Sequence, residues 1–160
     1  MRADSVAVVR AAAEEARREA DAQRREEEAR RRAADDARES LTEMVFFEYD
    51  MSRITPEAEQ LLRQKVAVLR ASPEVSMRME GHADERGSNE YNLALGSRRA
   101  ESVIAFITGF GIDVTRFETV SYGEERPLVN RSDEAAWGQN RRVEFVLTGG
   151  MNQINPGRVP

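Results

Sequence analysis

The sequence predicts an α+β domain, a β-α-β-α-β-β sandwich of one small mixed sheet with helices on one face, preceded by a long charged helix. Three observations carry this. From Asp4 to Glu43 there is no Gly or Pro, and Ala, Glu and Arg dominate, all strong helix formers. Beyond that segment, short β-branched or aromatic runs alternate with stretches of helical apolar spacing. Turn residues separate the two kinds of run.

The first 43 residues hold 10 Lys+Arg against 12 Asp+Glu and no aromatic side chain. Acid-first pairs four residues apart (Glu14 with Arg18, Asp21 with Arg25, Glu26 with Arg30, Glu27 with Arg31, Glu28 with Arg32) should each contribute about 0.2–0.5 kcal/mol. The apolar stripe Val6, Val9, Ala13, Ala16 and Ala20 is mostly alanine, thin for a leucine-type coiled coil. A solvated spacer helix is expected, with self-association of the arm left open. At about 1.5 Å per residue it would span about 60 Å.

A first strand is expected at Val45-Phe46-Phe47-Glu48-Tyr49-Asp50. Thr55-Pro56 supplies an N-cap and a first-turn proline, and Ala58, Leu61, Leu62, Val66 and Leu69 follow at helical spacing up to Ser72-Pro73. Val75, Met77 and Met79 alternate with Ser76, Arg78 and Glu80, the period of a half-buried strand. After the polar loop His82 to Ser88 a helix is expected to about Phe110, with Ala100, Val103, Ile104 and Ile107 inward and Gly111 as C-cap. Strands are expected at Phe117 to Ser121 and Val143 to Leu147, joined by a loop carrying Gly123, Pro127 and Trp137. The domain limits are therefore 1–43 for the arm, 44–148 for the globular part and 149–160 for a frayed tail.

Composition excludes several functions. The net charge of -5 is not that of a phosphate-tracking surface, so no nucleic acid partner is expected. No cysteine is present, which removes disulfides and thiolate chemistry. No 18-residue apolar run occurs, and Met1-Arg2-Ala3-Asp4 leads straight into charged residues. The chain is then either cytosolic or lacks its export signal here.

The densest polar cluster is Gly81-His82-Ala83-Asp84-Glu85-Arg86-Gly87-Ser88, between a strand end and a helix start. On the helix that follows, Asn92, Leu95 and Arg99 share one face beside the apolar stripe, while Arg98 turns to solvent. Taken singly, each has a plainer reading, Asp84 as a turn cap and Arg99 as a surface helix arginine. Together, an acid in the loop and an arginine two turns into the helix can bracket a zwitterion, the acid taking an ammonium and the guanidinium a carboxylate.

The run GHADERGSNEYNLALGSRRA (Gly81 to Ala100), with SYGEERP (Ser121 to Pro127) and NRRVEF (Asn140 to Phe145), resembles the OmpA-like family of cell-wall-binding domains in its peptidoglycan-associated lipoprotein branch. The resemblance covers about Val45 to Thr148. It implies a periplasmic, outer-membrane-associated domain that grips the diaminopimelate side chain of peptidoglycan stem peptides. Carried over by position, the family's ligand-pairing aspartate falls on Asp84 and its carboxylate-binding arginine on Arg99. Tyr49, Asp50, Arg86, Gly87, Asn92 and Leu95 match the remaining pocket, with His82, Asn140 and Arg141 as supporting residues. The resemblance also implies a lipid-bearing cysteine, which this sequence does not carry, so membrane contact is expected only through an anchor outside it. A Tol-system periplasmic protein is the alternative partner, and a stator-type or porin-linked branch the alternative affiliation.

Enzyme chemistry is not expected. His82 is the only histidine; with Asp84 it forms an HxD pair, and one imidazole without cysteine is a poor zinc site. No Gly-x-Ser-x-Gly elbow or phosphate loop is present. No cofactor and no metal are expected, His82 being assigned to orienting the loop by hydrogen bonding. Trp137 is assigned to packing rather than ligand stacking.

Overall fold

The structure is a computed structural model that describes residues 2–157. It divides into two compact units, Met1–Asp35 and Asp36–Pro160. The first is the greater part of helix α1, which runs Arg2–Thr42. Its side chains are almost all exposed, Val6, Val8 and Val9 among them. Two of the expected ion pairs form, Glu14–Arg18 at 3.9 Å and Glu28–Arg32 at 4.0 Å, whereas Asp21 turns to Arg24, one residue nearer than expected.

In the second unit, the last two turns of α1 bury Ala37 and Leu41 in the core, so the core takes in residues about two turns before 44. The remaining elements are β1 (Val45–Phe46), α2 (Pro56–Ala71), β2 (Ser76–His82), α3 (Asn89–Thr108), β3 (Phe117–Gly123), α4 (Glu134–Asn140) and β4 (Arg142–Gly149). The sheet order is β1-β4-β2-β3, with β2 and β3 parallel and the other pairs antiparallel. The sheet is mixed because β2 and β3 are joined by the crossover helix α3, the connection that parallel neighbours require.

Alternation puts Met77 and Met79 of β2 and Val143 and Phe145 of β4 against Leu62, Val66 and Leu69 of α2 and Ala100, Val103 and Ile107 of α3. Each large apolar side chain buried there stabilises the fold by about 1.5–3 kcal/mol. At one point α3 and β2 touch backbone to backbone: a Cβ on Gly81 would run into the Gly96 carbonyl. Thr55 caps α2 through its side chain, accepting from Ala58 N at 3.1 Å.

One residue of α2 breaks the apolar stripe. Lys65 is fully buried, and its ammonium donates to the carbonyls of Ser40 (2.6 Å), Leu41 (3.2 Å) and Glu43 (2.5 Å), closing the C-terminal end of α1. It also lies 4.1 Å from the Phe145 ring centroid. Burial pushes its pKa down to about 7, against the opposing charge of Glu43.

Four sequence expectations change. The first strand stops at Phe46, because the next residues turn: Met51 N donates to Glu48 O, and Asp50 takes a left-handed φ of 55°. Helix α3 ends at Thr108 and is capped by Gly109, while Gly111 is the left-handed residue beyond it (φ 87°), its N–H bonded to Thr108 O. The loop around Trp137 contains helix α4, capped by Asp133, whose side chain accepts from Ala136 N at 2.8 Å. The order is therefore β-α-β-α-β-α-β. The tail expected to fray from 149 packs instead: Ile154 is buried in the core, and Asn155 exchanges two hydrogen bonds with the Ser72 hydroxyl. An apolar anchor and a satisfied polar pair hold this segment. Residues 158–160 of that expected tail lie outside the described residues.

Candidate functional site

Strand β2 delivers the chain into loop 83–88, and Ser88 starts α3 by accepting from Tyr91 N at 3.2 Å. At this junction opens a cavity of about 110 Å³. All eight residues assigned from the sequence to the ligand line it: Tyr49, Asp50, Asp84, Arg86, Gly87, Asn92, Leu95 and Arg99. Ala83 and Tyr91 complete it. Tyr91 was missed although a signal existed, since it sits four residues before Leu95 on the same helical face. Its hydroxyl bonds the Asp50 carboxylate at the cavity rim.

Arg99 lines the floor of the cavity and is buried, whereas its neighbour Arg98 is exposed. Its guanidinium donates to Met51 O (2.8 Å), His82 O (2.8 Å) and Glu48 O (3.1 Å). The segment after β1 thus wraps the arginine instead of continuing as a strand. Three of five N–H groups are used this way, leaving one on each terminal nitrogen. Burial and the charge of Arg141 lower its pKa to about 10, against the pull of Asp84 and Asp50, so it stays cationic at neutral pH.

Asp84 is 4% exposed and already holds a cation. Arg86 donates to it through Nε (3.1 Å), Nη2 (2.9 Å) and its backbone N–H (3.0 Å), and Arg141 Nη1 lies 3.6 Å away. Burial works to raise the carboxyl; the Arg86 hydrogen bonds and the charges of Arg86 and Arg141 outweigh it and hold it below the usual carboxylate range. The Arg86 guanidinium is stacked between the rings of Tyr49 (3.8 Å) and Trp137 (4.1 Å). Trp137 in turn donates Nε1 to Glu85 at 3.0 Å. Its packing partner is the arginine of the site.

Several assigned residues act on the loop. Asn92 is buried and its amide nitrogen donates to Asp84 O, Arg86 O and Glu124 Oε1, fixing the loop above the cavity. Gly87 supplies the positive φ of 102° that the loop needs beside it. Asn140 lies outside the cavity lining; its side chain binds the 128–129 backbone on three sides, a structural tie. Arg141 supports the site from behind, bonding Phe47 O at 2.9 Å and Glu134 at 3.2 Å. His82 departs from expectation. Its carbonyl serves the site through Arg99, but its ring makes no hydrogen bond to the loop and lies beside Glu144, 3.4 Å away, so the HxD pairing with Asp84 does not form.

Residues 46–141 match the OmpA family. The chain belongs to the OmpA family. The chain is 41% identical over 116 residues to the peptidoglycan-associated lipoprotein of Brucella melitensis, covering 72% of this chain and 69% of that protein. It is 48% identical over 99 residues to the peptidoglycan-associated lipoprotein of Haemophilus influenzae, covering 62% of this chain and 65% of that protein. The crystal structure of the peptidoglycan-associated lipoprotein from Burkholderia pseudomallei superposes with a TM-score of 0.64 at 38% identity, covering 66% of this chain and 89% of that one. In this OmpA-family domain the mixed sheet and its helices thus follow the arrangement of solved relatives. Among the described residues no helix is long and apolar enough to cross a membrane.

Proposed function

We propose that this OmpA-family domain binds peptidoglycan non-covalently, by gripping the diaminopimelate end of a stem peptide, and so ties the outer membrane or an envelope complex to the cell wall. The observation that carries the reading is one small cavity holding an ionised acid, Asp84, and a buried guanidinium with unused donors, Arg99. A zwitterionic amino-acid terminus is the complementary chemistry. Its ammonium goes to Asp84, taking the place of the Arg86 guanidinium, and its carboxylate to the remaining Arg99 N–H groups. Leu95 and the Tyr49 ring flank the methylene stem. The names of the relatives support peptidoglycan as the source of that terminus.

The reading is of a binding module. Asp84 is held as carboxylate and Arg99 as guanidinium at neutral pH, so neither is poised to move a proton. Exposed Tyr49 and Tyr91, which line the cavity, favour a protein partner as a second use of the same surface, aromatic side chains being enriched at such contacts.

The test is calorimetric titration of a diaminopimelate-containing stem peptide, with a lysine-containing stem, which lacks the second carboxylate, as control. Asp84→Asn, which removes the charge while keeping the shape, should weaken binding by about 10–100-fold. Arg99→Lys should do the same while keeping a cation at the floor. No saturable binding by the folded wild type, or equal affinity for both stems, overturns the assignment.

A further inference from the structure

The sheet face turned away from α2 and α3 carries a second polar constellation, outside the Asp84–Arg99 cavity. Alternation that sends Met77 and Met79 inward sends Arg78, Glu80 and His82 outward, and on β4 it sends Arg142 and Glu144 outward. In the β2–β4 register Glu80 stands directly opposite Glu144. Like charges facing each other across an antiparallel pair repel. His82 follows on the same face, and one donor atom from each of Glu80, His82 and Glu144 lies within 4.8 Å of the others. The imidazole is 1% exposed, yet neither Nδ1 nor Nε2 has a hydrogen-bond partner. Buried polar groups are otherwise paired.

We propose that Glu80, His82 and Glu144 form a site for a divalent transition-metal ion of the zinc type. One ion would bridge the opposed carboxylates and partner the imidazole. A tetrahedral ion with bonds of about 2.0–2.1 Å needs its ligands about 3.3 Å apart, so the donors must close by at most about 1.5 Å. Side-chain rotation supplies that. Solvent reaches the site past Glu144 and Arg78, whose side chains are 31% and 33% exposed. Three protein ligands leave the fourth position to water.

The surrounding charges choose the kind of ion. Arg78 (2.9 Å) and the Tyr122 hydroxyl (3.4 Å) both reach Glu80 Oε2, and Arg142 lies 3.5 Å from Glu144 Oε1. Those contacts leave the second oxygen of each glutamate for the ion, and Glu144 Oε2 already lies 3.4 Å from His82 Nε2. Glu118 answers Arg78 at 3.9 Å, and Arg126 stacks on Tyr122 at 3.8 Å. Metals bind a ring nitrogen that is not otherwise engaged, and both nitrogens of the His82 imidazole lack a hydrogen-bond partner. The same arginines oppose any cation held by charge alone. Calcium and magnesium, which take oxygen ligands electrostatically, are excluded in favour of ions that bond strongly to imidazole.

The chain has one histidine and no cysteine, which makes the readout unambiguous. Chelator-treated full chain, labelled with nitrogen-15, is titrated with zinc chloride while the imidazole resonances are followed, alongside calorimetry. Expected are one zinc ion per chain, a displaced resonance for the bonded ring nitrogen, and no response to magnesium. In Glu144→Gln, a half-exposed position that leaves the core untouched, and in His82→Gln, affinity falls by more than about 100-fold, beyond the loss that outer-shell changes produce. Imidazole resonances unmoved by excess zinc overturn the site. So does zinc binding of equal strength in both variants, which would locate the ion on other carboxylates.

Discussion

Replacing Arg99 with methionine would test whether the arginine at the cavity floor holds the fold as well as a ligand. The substitution takes the donors away from three backbone carbonyls, those of Glu48, Met51 and His82. A buried acceptor left without a partner costs about 1–3 kcal/mol, so the gross loss is about 3–9 kcal/mol. Two effects reduce it. The desolvation that brings the guanidinium to about 10 is relieved, returning about 3 kcal/mol. Water can also enter the cavity and bond part of the freed carbonyls. From the middle of the gross range a net loss of about 2 kcal/mol remains, an appreciable share of the about 5–15 kcal/mol that holds a domain together. Urea denaturation of wild type and variant, followed by circular dichroism, measures it. A variant within about 0.5 kcal/mol of wild type, the range of ordinary surface substitutions, would refute the reasoning. The practical consequence is that binding lost in an Arg99 truncation is uninterpretable without a stability measurement, which is why lysine is the better probe.

Other perturbations follow from the same contacts. Lys65 is near 7 in the fold against 10.5 ordinarily, so between those values the unfolded chain holds more protons and stability rises with pH, with the gain absent below about pH 7, where the lysine is charged in both states. Urea midpoints at about pH 7 and about pH 10 should therefore differ more in wild type than in Lys65→Met; equal differences contradict the assignment. Gly81→Ala, driving a Cβ into the Gly96 carbonyl on a neighbouring element, should destabilise by about 3 kcal/mol or more, and a thermal melt at the wild-type temperature would show the contact to be looser than it is drawn. Ile154→Ala should cost about 2 kcal/mol because the side chain is buried in the core, whereas a frayed segment would register no change in chemical denaturation.

The pattern-bearing parts of the chain were legible in the sequence. Alternation at Val75, Met77 and Met79 and helical spacing at Leu62, Val66 and Leu69 named the buried faces, since period alone decides which side chains point together. Asn92, Leu95 and Arg99 were placed on one face for the same reason, and the Gly81-to-Ala100 run carried the family. The elements that escaped have no period to read. Helix α4 is too short to show one, although Asp133 offered a cap, and Ile154 is a single apolar residue among polar ones.

What the sequence determined by itself was therefore the fold class, the charged arm and eight of the residues that line the pocket, because these rest on local spacing and on residue types in a fixed order. What only tertiary structure decided was which partners the charges take. Asp84 faces Arg86 and Arg141 rather than His82; His82 faces Glu80 and Glu144; Lys65 caps a helix that ends 23 positions upstream of it; and Arg99 binds backbone from two distant segments. Such pairings depend on strand register and helix packing, and a buried charge takes whatever acceptor the fold brings within reach.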